Sequence, residues 1–229
     1  MIIHGLQKLT LLDFPEHTAC TVFLAGCNFR CPFCHNSELL NAATADPLMD
    51  DAELLTFLSK RQGLLDGVCI TGGEPTLRPD LDKLLKEIKK LGFKTKLDTN
   101  GTMPDVIKKL VDSNLVDYIA MDIKSTPEHY ELLTGVAVDM DAIRKSVDFI
   151  KFCGIEYEFR TTVVKGLHQL ADFTAIGKWL KDARAYYLQP FVDRDSVLQK
   201  NLTAPTDEEL NAYLNEVKKY IPNSYIRGK

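Results

Sequence analysis

The feature that most limits how this chain can fold is a repeated alternation of short apolar runs with amphipathic helical patterns. ACTVFLAG, DGVCITGG, FKTKLDT, VDYIAMDIK, IEYEFRTTVV and AYYLQPF read as buried strands. Between them DDAELLTFLSKRQG, RPDLDKLLKEIKKLG, PDVIKKLVDSN, DMDAIRKSVDFIKFCG and DFTAIGKWLKDA read as helices, and TDEELNAYLNEVKKY follows the last strand. In the second helix Leu81, Leu84, Leu85 and Ile88 share one face, and in the third Pro104 stands at the start, where its missing N–H costs nothing. Parallel neighbours need helical crossovers, so six such units in series predict an α/β fold on a parallel sheet. An open doubly wound sheet and a barrel or partial barrel both satisfy the alternation.

The 229 residues suit a single domain spanning 1–229, with a short N-terminal extension over 1–18 and a C-terminal helix and tail from about 205 to 229. Hydrophobic residues make up 45% and charged residues 26%, which disfavours disorder, and no apolar run is long enough to span a bilayer, so no membrane is expected. MIIHGLQKLTLLDFPEHTAC lacks the pattern of a secretory signal, so the cytoplasm is the expected compartment. In that reducing setting the six cysteines are expected as ligands, catalysts or buried thiols rather than disulfides. A formal charge of -4 disfavours extended phosphate-backbone binding, so no nucleic acid is expected.

CNFRCPFCHN, residues 27–36, places Cys27, Cys31, Cys34 and His35 just after the first strand. CPFCH fits covalent haem attachment and CPFC fits a redox dithiol, but neither uses Cys27. Zinc could take all four side chains, yet Cys34 and His35 are adjacent, and consecutive side chains diverge in regular backbone. Three thiolates on a [4Fe–4S] cluster would leave one iron free for a ligand from outside the protein. That open iron would turn an electron carrier into a reaction site. A second stretch, TGGEP at 71–75, reads by itself as a turn before a helix. It falls, like DTNG, MDIK, RTTVVKG and LQPF, where a strand ends, so a barrel would bring these segments together at its C-terminal mouth.

The C-x3-C-x2-C spacing with aromatic Phe33 before the last cysteine resembles the signature of the radical S-adenosylmethionine (radical SAM) enzymes, and TGGEP resembles their GGEP motif. GLQKLTLLDFPEHTACTVFLAGCNFRCPFCHNSELL, ITGGEPTL, LDTNG and MDIK together resemble the glycyl-radical-enzyme activating enzymes, most nearly the longer type that activates anaerobic ribonucleoside-triphosphate reductase. The resemblance covers most of the chain and is strongest over residues 5–125.

It implies a partial (β/α)6 barrel holding one [4Fe–4S] cluster and S-adenosylmethionine (SAM). Cys27, Cys31 and Cys34 would bind three irons, and SAM would chelate the fourth. Gly72, Gly73 and Glu74 would hold the methionyl amino group, while Phe33 and the backbone around His35 would lie along the adenine. Asp98, Thr99 and Asp122 match positions that in relatives hold the methionyl end and a nearby monovalent cation; Lys124 and Arg160 match basic and polar contacts. The alternative for Asp98, Asp122 and Arg160 is a salt-bridged barrel interior, and for Lys124 a solvated loop lysine. The implied activity is reductive cleavage of SAM to a 5′-deoxyadenosyl radical that takes hydrogen from a glycine Cα of a partner enzyme, an anaerobic ribonucleotide reductase. Pyruvate formate-lyase or another glycyl-radical enzyme is the nearby alternative partner. A small-molecule radical SAM reaction is a further alternative, and a non-catalytic iron–sulfur carrier is the alternative of a different class. Electrons would come from an external one-electron donor such as flavodoxin or ferredoxin, because Cys20, Cys69 and Cys153 are scattered and read as buried thiols rather than ligands of a second cluster. One departure stands out. Where some relatives carry a histidine after P-F, this chain has Val192, so a contact made through that histidine has no counterpart in sequence.

Overall fold

Six parallel strands stand side by side in chain order: β3 (Ala19–Leu24), β5 (Gly67–Gly72), β6 (Lys94–Thr99), β7 (Tyr118–Asp122), β8 (Glu156–Val163) and β9 (Tyr186–Pro190). This is a computed structural model, and it describes residues 1–228. The crossovers carry α1 (Asp51–Ser59), α2 (Leu81–Lys90), α3 (Pro104–Asp112), α4 (Tyr130–Thr134) with α5 (Met140–Phe152), and α6 (Leu170–Trp179); α7 (Asp207–Lys218) follows β9. A doubly wound sheet reverses its strand order at a switch point. Here the order never reverses, which selects the partial (β/α)6 barrel from the two architectures that the alternation allowed.

The chain ends are part of this frame. Residues 1–18, expected as an extension, contribute β1 (Ile2–Ile3) and β2 (Gly5–Thr10); β2 pairs antiparallel with β3 and forms one edge of the sheet. The tail contributes β10 (Ser224–Ile226), which pairs parallel with β9 and forms the other edge. β1 pairs separately with β4 (Met49–Asp50) in a two-stranded ribbon. β2 and β10 do not pair with each other, so the eight-stranded sheet remains open.

Local chemistry explains the helix positions. Asp50 and Glu53 form a reciprocal capping box at the start of α1, as Thr206 and Glu209 do at α7, which satisfies N–H groups that a first turn leaves orphaned. Leu81, Leu84, Leu85 and Ile88 of α2 are buried against the sheet, as their helical spacing predicts.

Strand side chains alternate between two faces. One face, with Val68 and Ile70, Leu97, Ile119 and Met121, and Phe159, packs in the hydrophobic core. The other carries Cys69, Lys96, Asp98, Tyr118, Asp122, Glu158 and Arg160 at the intervening positions. Several of these are nevertheless hidden from water: Lys96 is 1% exposed and Glu158 0%. Buried charge is tolerated only when paired, and it is paired here. The Arg227 guanidinium, just beyond β10, grips Glu158 with two hydrogen bonds of 2.5 and 2.6 Å and lies 3.7 Å from the Tyr187 ring centre. Tyr118 donates its hydroxyl to the same carboxylate at 2.9 Å.

Candidate active site at the strand C-termini

The C-terminal ends of these strands surround a cavity of about 360 Å³, within the ordinary range for small-molecule sites. The loop after β3 brings Cys27, Cys31, Phe33, Cys34 and His35 into its wall. β5 brings Gly72 and the loop after it Gly73; β6 brings Asp98 and Thr99; Asp122 and Lys124 come from the end of β7, and Arg160 from β8. Residues spread over more than 130 positions of sequence thus meet because parallel strands all end on one side.

The cysteine loop is held by backbone bonds. Gly26 and Cys27 donate their N–H groups to the carbonyls of Leu39 and Leu40 at 2.7 and 3.1 Å, Cys34 donates to Cys31 at 3.1 Å, and Arg30 donates to Thr134 at 2.7 Å. The last bond depends on Gly135, which has φ +69°; a Cβ there would sit 2.5 Å from the Arg30 carbonyl oxygen. Close approach also explains the glycine pair after β5. A Cβ on Gly72 would meet Leu24 backbone at 2.3 Å, and one on Gly73 would meet the Gly26 carbonyl oxygen at 2.3 Å. A side chain at Gly72 would push this turn away from the end of β3, and one at Gly73 would push it away from the start of the cysteine loop.

All six cysteines are free thiols. Burial pushes the Cys31 thiol up to about 11, with Lys124 opposing, and burial also raises Cys27 and Cys34. Among the described residues no three His, Cys, Asp or Glu side chains converge on a point as ligands of one ion. Three thiols lining one cavity, without a converging single-ion group among the described residues, fit a polynuclear cluster in which each thiolate would hold its own iron. His35 is engaged elsewhere: its Nε2 lies 2.7 Å from the Val192 carbonyl oxygen and its ring stacks on Phe191 at 5.4 Å. The donor set is therefore three thiols, with no fourth protein ligand in reach through His35.

Charges on the opposite wall form a chain of alternating sign. Lys96 bonds Asp98; Arg160 reaches Asp98 at 3.1 Å and Asp122 at 2.9 Å; Lys124 reaches Asp122 at 3.1 Å. Burial alone would raise the Asp122 carboxyl, but Arg160 and Lys124 outweigh it and hold the group down at about 2. Asp98 is lowered by Arg160 and Lys96 against the same opposing burial. Both carboxylates stay ionised at neutral pH beside the thiols.

Glu74 stands apart from the other residues expected here. Its carboxylate is 1% exposed and is not in the cavity wall. It accepts hydrogen bonds from Thr76 N at 3.0 Å, Asn100 N at 2.5 Å and the Thr99 hydroxyl at 2.8 Å. The side chain ties the GGEP turn to the DTNG turn; only backbone from GGEP faces the cavity. Burial raises its carboxyl while these donors oppose the rise.

Contributors beyond the expected residues include four side chains with polar or charged groups. Asp13 reaches the cavity from the β2–β3 turn and accepts from Thr21 at 2.6 Å; Gln189 and Arg194 line it from β9 and the loop beyond. His168 is buried behind the wall. Its Nδ1 accepts from Val164 N–H at 3.1 Å, which leaves Nε2 to donate to the Lys124 carbonyl at 3.0 Å, and its ring packs edge-on against Phe33. Asp13 lies inside the LLDFP stretch and Gln189 inside LQPF at the end of the last strand; Arg194 and His168 have no local signal.

Comparison with known families agrees with this geometry. The radical SAM superfamily matches residues 21–170. The chain belongs to the radical SAM superfamily. It is an enzyme of oxidoreductase type, and the superfamily's cofactors, a [4Fe–4S] cluster and SAM, are its cofactors. A Methanocaldococcus jannaschii protein named as a candidate glycyl-radical enzyme activating enzyme is 32% identical over 99% of this chain and 95% of its own. The pyruvate formate-lyase-activating enzyme of Clostridium pasteurianum is 31% identical over 72% of this chain and 69% of its own. GTP 3′,8-cyclases of archaea also match over shorter spans. Among solved structures, a domain of a pyruvate formate-lyase-activating enzyme from Bacteroides vulgatus superposes with TM-score 0.58 at 19% identity, covering 71% of this chain and 99% of that one. Streptococcus suis SuiB bound to its precursor peptide superposes with TM-score 0.72 at 18% identity, covering 95% of this chain and 50% of that one. These structures share the fold of this radical SAM enzyme. Among its described residues no helix is long and apolar enough to cross a membrane.

Proposed function

We propose that this radical SAM enzyme installs a glycyl radical on a partner enzyme, an anaerobic ribonucleoside-triphosphate reductase. The observation that carries the activating role is the end-to-end likeness to a candidate glycyl-radical enzyme activating enzyme, 32% identity over 99% of the chain. Three thiols in one cavity wall, with the adjacent His35 engaged elsewhere, support it, since three thiolates would leave one iron of a cluster open. When bound, a reduced cluster and SAM would supply the one-electron radical chemistry that takes hydrogen from a glycine Cα.

The chain's own residues position and shield that chemistry. Cys27, Cys31 and Cys34 would hold the cluster; backbone of Gly72 and Gly73 would hold the methionyl amino group, and Phe33 with the backbone at His35 would hold the adenine. Asp98, Asp122 and Thr99 would serve the methionyl end and a monovalent cation, with Lys124 and Arg160 balancing the carboxylates. Glu74 acts through Thr99 and Asn100 rather than by contact. β2 and β10 are the unpaired edges of the sheet, and a polypeptide loop would approach the cavity from between them. Electrons arrive from a flavodoxin or ferredoxin in the cytoplasm.

A second reading, activation of a pyruvate formate-lyase, is favoured by the match to the Clostridium pasteurianum enzyme. Anaerobic reconstitution with iron, sulfide, SAM and a reductant, followed by incubation with each purified partner, separates the two. A glycine-centred doublet in the paramagnetic resonance spectrum of the reductase alone supports the first reading. A doublet on the lyase alone replaces it with the second. 5′-Deoxyadenosine formation without a doublet on any glycyl-radical enzyme would overturn the activating role and favour a small-molecule substrate.

A further inference from the structure

The cysteine loop has a neighbour that no motif marks, the segment between β9 and α7. Residues 191–200 run across its outer side, although the two segments lie about 160 positions apart in the chain. Contact is made at both ends of CPFCH and beyond it. Gln199 donates its N–H to the Pro32 carbonyl at 2.9 Å, between Cys31 and Phe33. Ser196 donates its hydroxyl to the His35 carbonyl at 2.7 Å, and Ser37 returns a hydroxyl bond to the Ser196 carbonyl. The Val192 carbonyl accepts from His35 Nε2 at 2.7 Å, and the His35 ring lies nearly parallel to Phe191, 13° between planes. Phe191 and Val197, each 2% exposed, root the segment in the core, while residues 192–195 between them face solvent.

We infer that residues 191–200 are a latch on the cysteine loop, that His35 and Ser196 are its positioning residues, and that it governs how firmly the cluster is held. The contacts fall on the carbonyls of Pro32 and His35, immediately after Cys31 and Cys34 respectively. The inner side of the loop is already fixed by the bond from Arg30 to Thr134. With the latch closed the loop is clamped from two sides. With it open, the Pro32 and His35 carbonyls lose the donors that Gln199 and Ser196 supply, while the bond from Cys34 to Cys31 remains. His35, beside a thiolate ligand, thus serves the metal by packing and hydrogen bonding instead of coordination.

Two measurements on the full chain test this, one with the cluster and one without. In the anaerobically reconstituted protein, iron loss to excess chelator is followed by absorbance. In the metal-free protein, trypsin cleavage after Arg194 and Lys200 is followed by mass spectrometry. Ser196→Ala and His35→Ala should each lose iron about fivefold faster, the change that one lost hydrogen bond of ordinary strength brings. Both should also be cut faster at Arg194 and Lys200, whereas His35→Gln, which keeps a donor, should fall between them and the parent. Leu198→Ala, a change to a half-exposed side chain outside these contacts, should alter neither rate. Should either variant fail to fold by circular dichroism, Ser37→Ala carries the same expectation. Unchanged iron loss and cleavage in folded variants would overturn the latch. Faster cleavage with unchanged iron loss would overturn its link to the cluster, and the metal-free measurement stands whether or not the glycyl-radical reading holds.

Discussion

Arg160 on β8 donates its Nε–H to Asp122 on β7 at 2.9 Å, and the same guanidinium extends to Asp98 on β6. One side chain therefore spans three adjacent strands at the mouth of the cavity. Replacing it by alanine leaves two part-buried carboxylates facing each other, each with one lysine partner, and a lost hydrogen bond to a charged group costs about 1.5–3 kcal/mol. Arg160→Ala should unfold at markedly lower denaturant and bind SAM weakly. Arg160→Lys should recover part of the stability but little of the SAM affinity, because an ammonium cannot bridge two carboxylates as a planar fork does. Equal SAM affinity in all three proteins, by calorimetry under anaerobic conditions, would confine Arg160 to a structural role.

Asp122 provides a pH signature. Its folded-state value of about 2 lies below the 3.8 of the free side chain. A depressed carboxyl stabilises the folded state above the unfolded value and loses that contribution as pH falls through the folded one. The stability difference between the parent and Asp122→Asn should be full above about pH 4 and shrink steadily toward about pH 2. Denaturation curves of both proteins across that range check it; a constant difference would contradict the pairing with Arg160 and Lys124.

Gly135 separates two effects that usually come together. Gly135→Ala introduces both a left-handed backbone penalty and a Cβ against the Arg30 carbonyl, whereas Gly154→Ala, at φ +81°, meets nothing within 4 Å. Each should lose about 1 kcal/mol from the backbone alone. Only Gly135→Ala should also lower the iron bound per chain after reconstitution, because the clash displaces the residue before Cys31. Equal iron contents would show that the cysteine loop does not rest on this turn.

Glu74 should behave as a brace. Glu74→Gln turns an acceptor of four hydrogen bonds into a group that must present N–H₂ to some of the same donors. A loss of about 1–3 kcal/mol follows from leaving buried groups unsatisfied. Cluster assembly should survive, since no cysteine touches this carboxylate, while SAM affinity should fall as Thr99 and Asn100 shift. Iron content and SAM binding measured on the same sample distinguish the two.

The alternation of strands and helices was legible because buried strands and amphipathic helices carry their own periodicity. The cysteine spacing, the GGEP turn and the carboxylates of DTNG and MDIK were legible as motifs at strand ends. What was not legible depends on distant partners. Nothing local in YELLTG announces that Gly135 must make room for Arg30, and nothing in DRDSVLQK announces contact with Pro32 and His35. β10 is three residues long and exists only because β9 offers an edge; its extension to Arg227 then closes on Glu158. Glu74 was expected at the cofactor because its motif sits there, but whether a side chain points in or out depends on the turn's backbone, which composition does not reveal.

The alternating charges from Lys96 through Asp98, Arg160 and Asp122 to Lys124 have an evolutionary corollary. Each inner member is flanked by opposite signs, so losing one leaves two like charges abutting, while losing a neighbouring pair preserves the alternation. Mutational effects along this row should be strongly non-additive, Arg160 with Asp122 above all. Lineages that rebuild this wall would then do so by paired exchanges, and single-step drift would be confined to positions outside it.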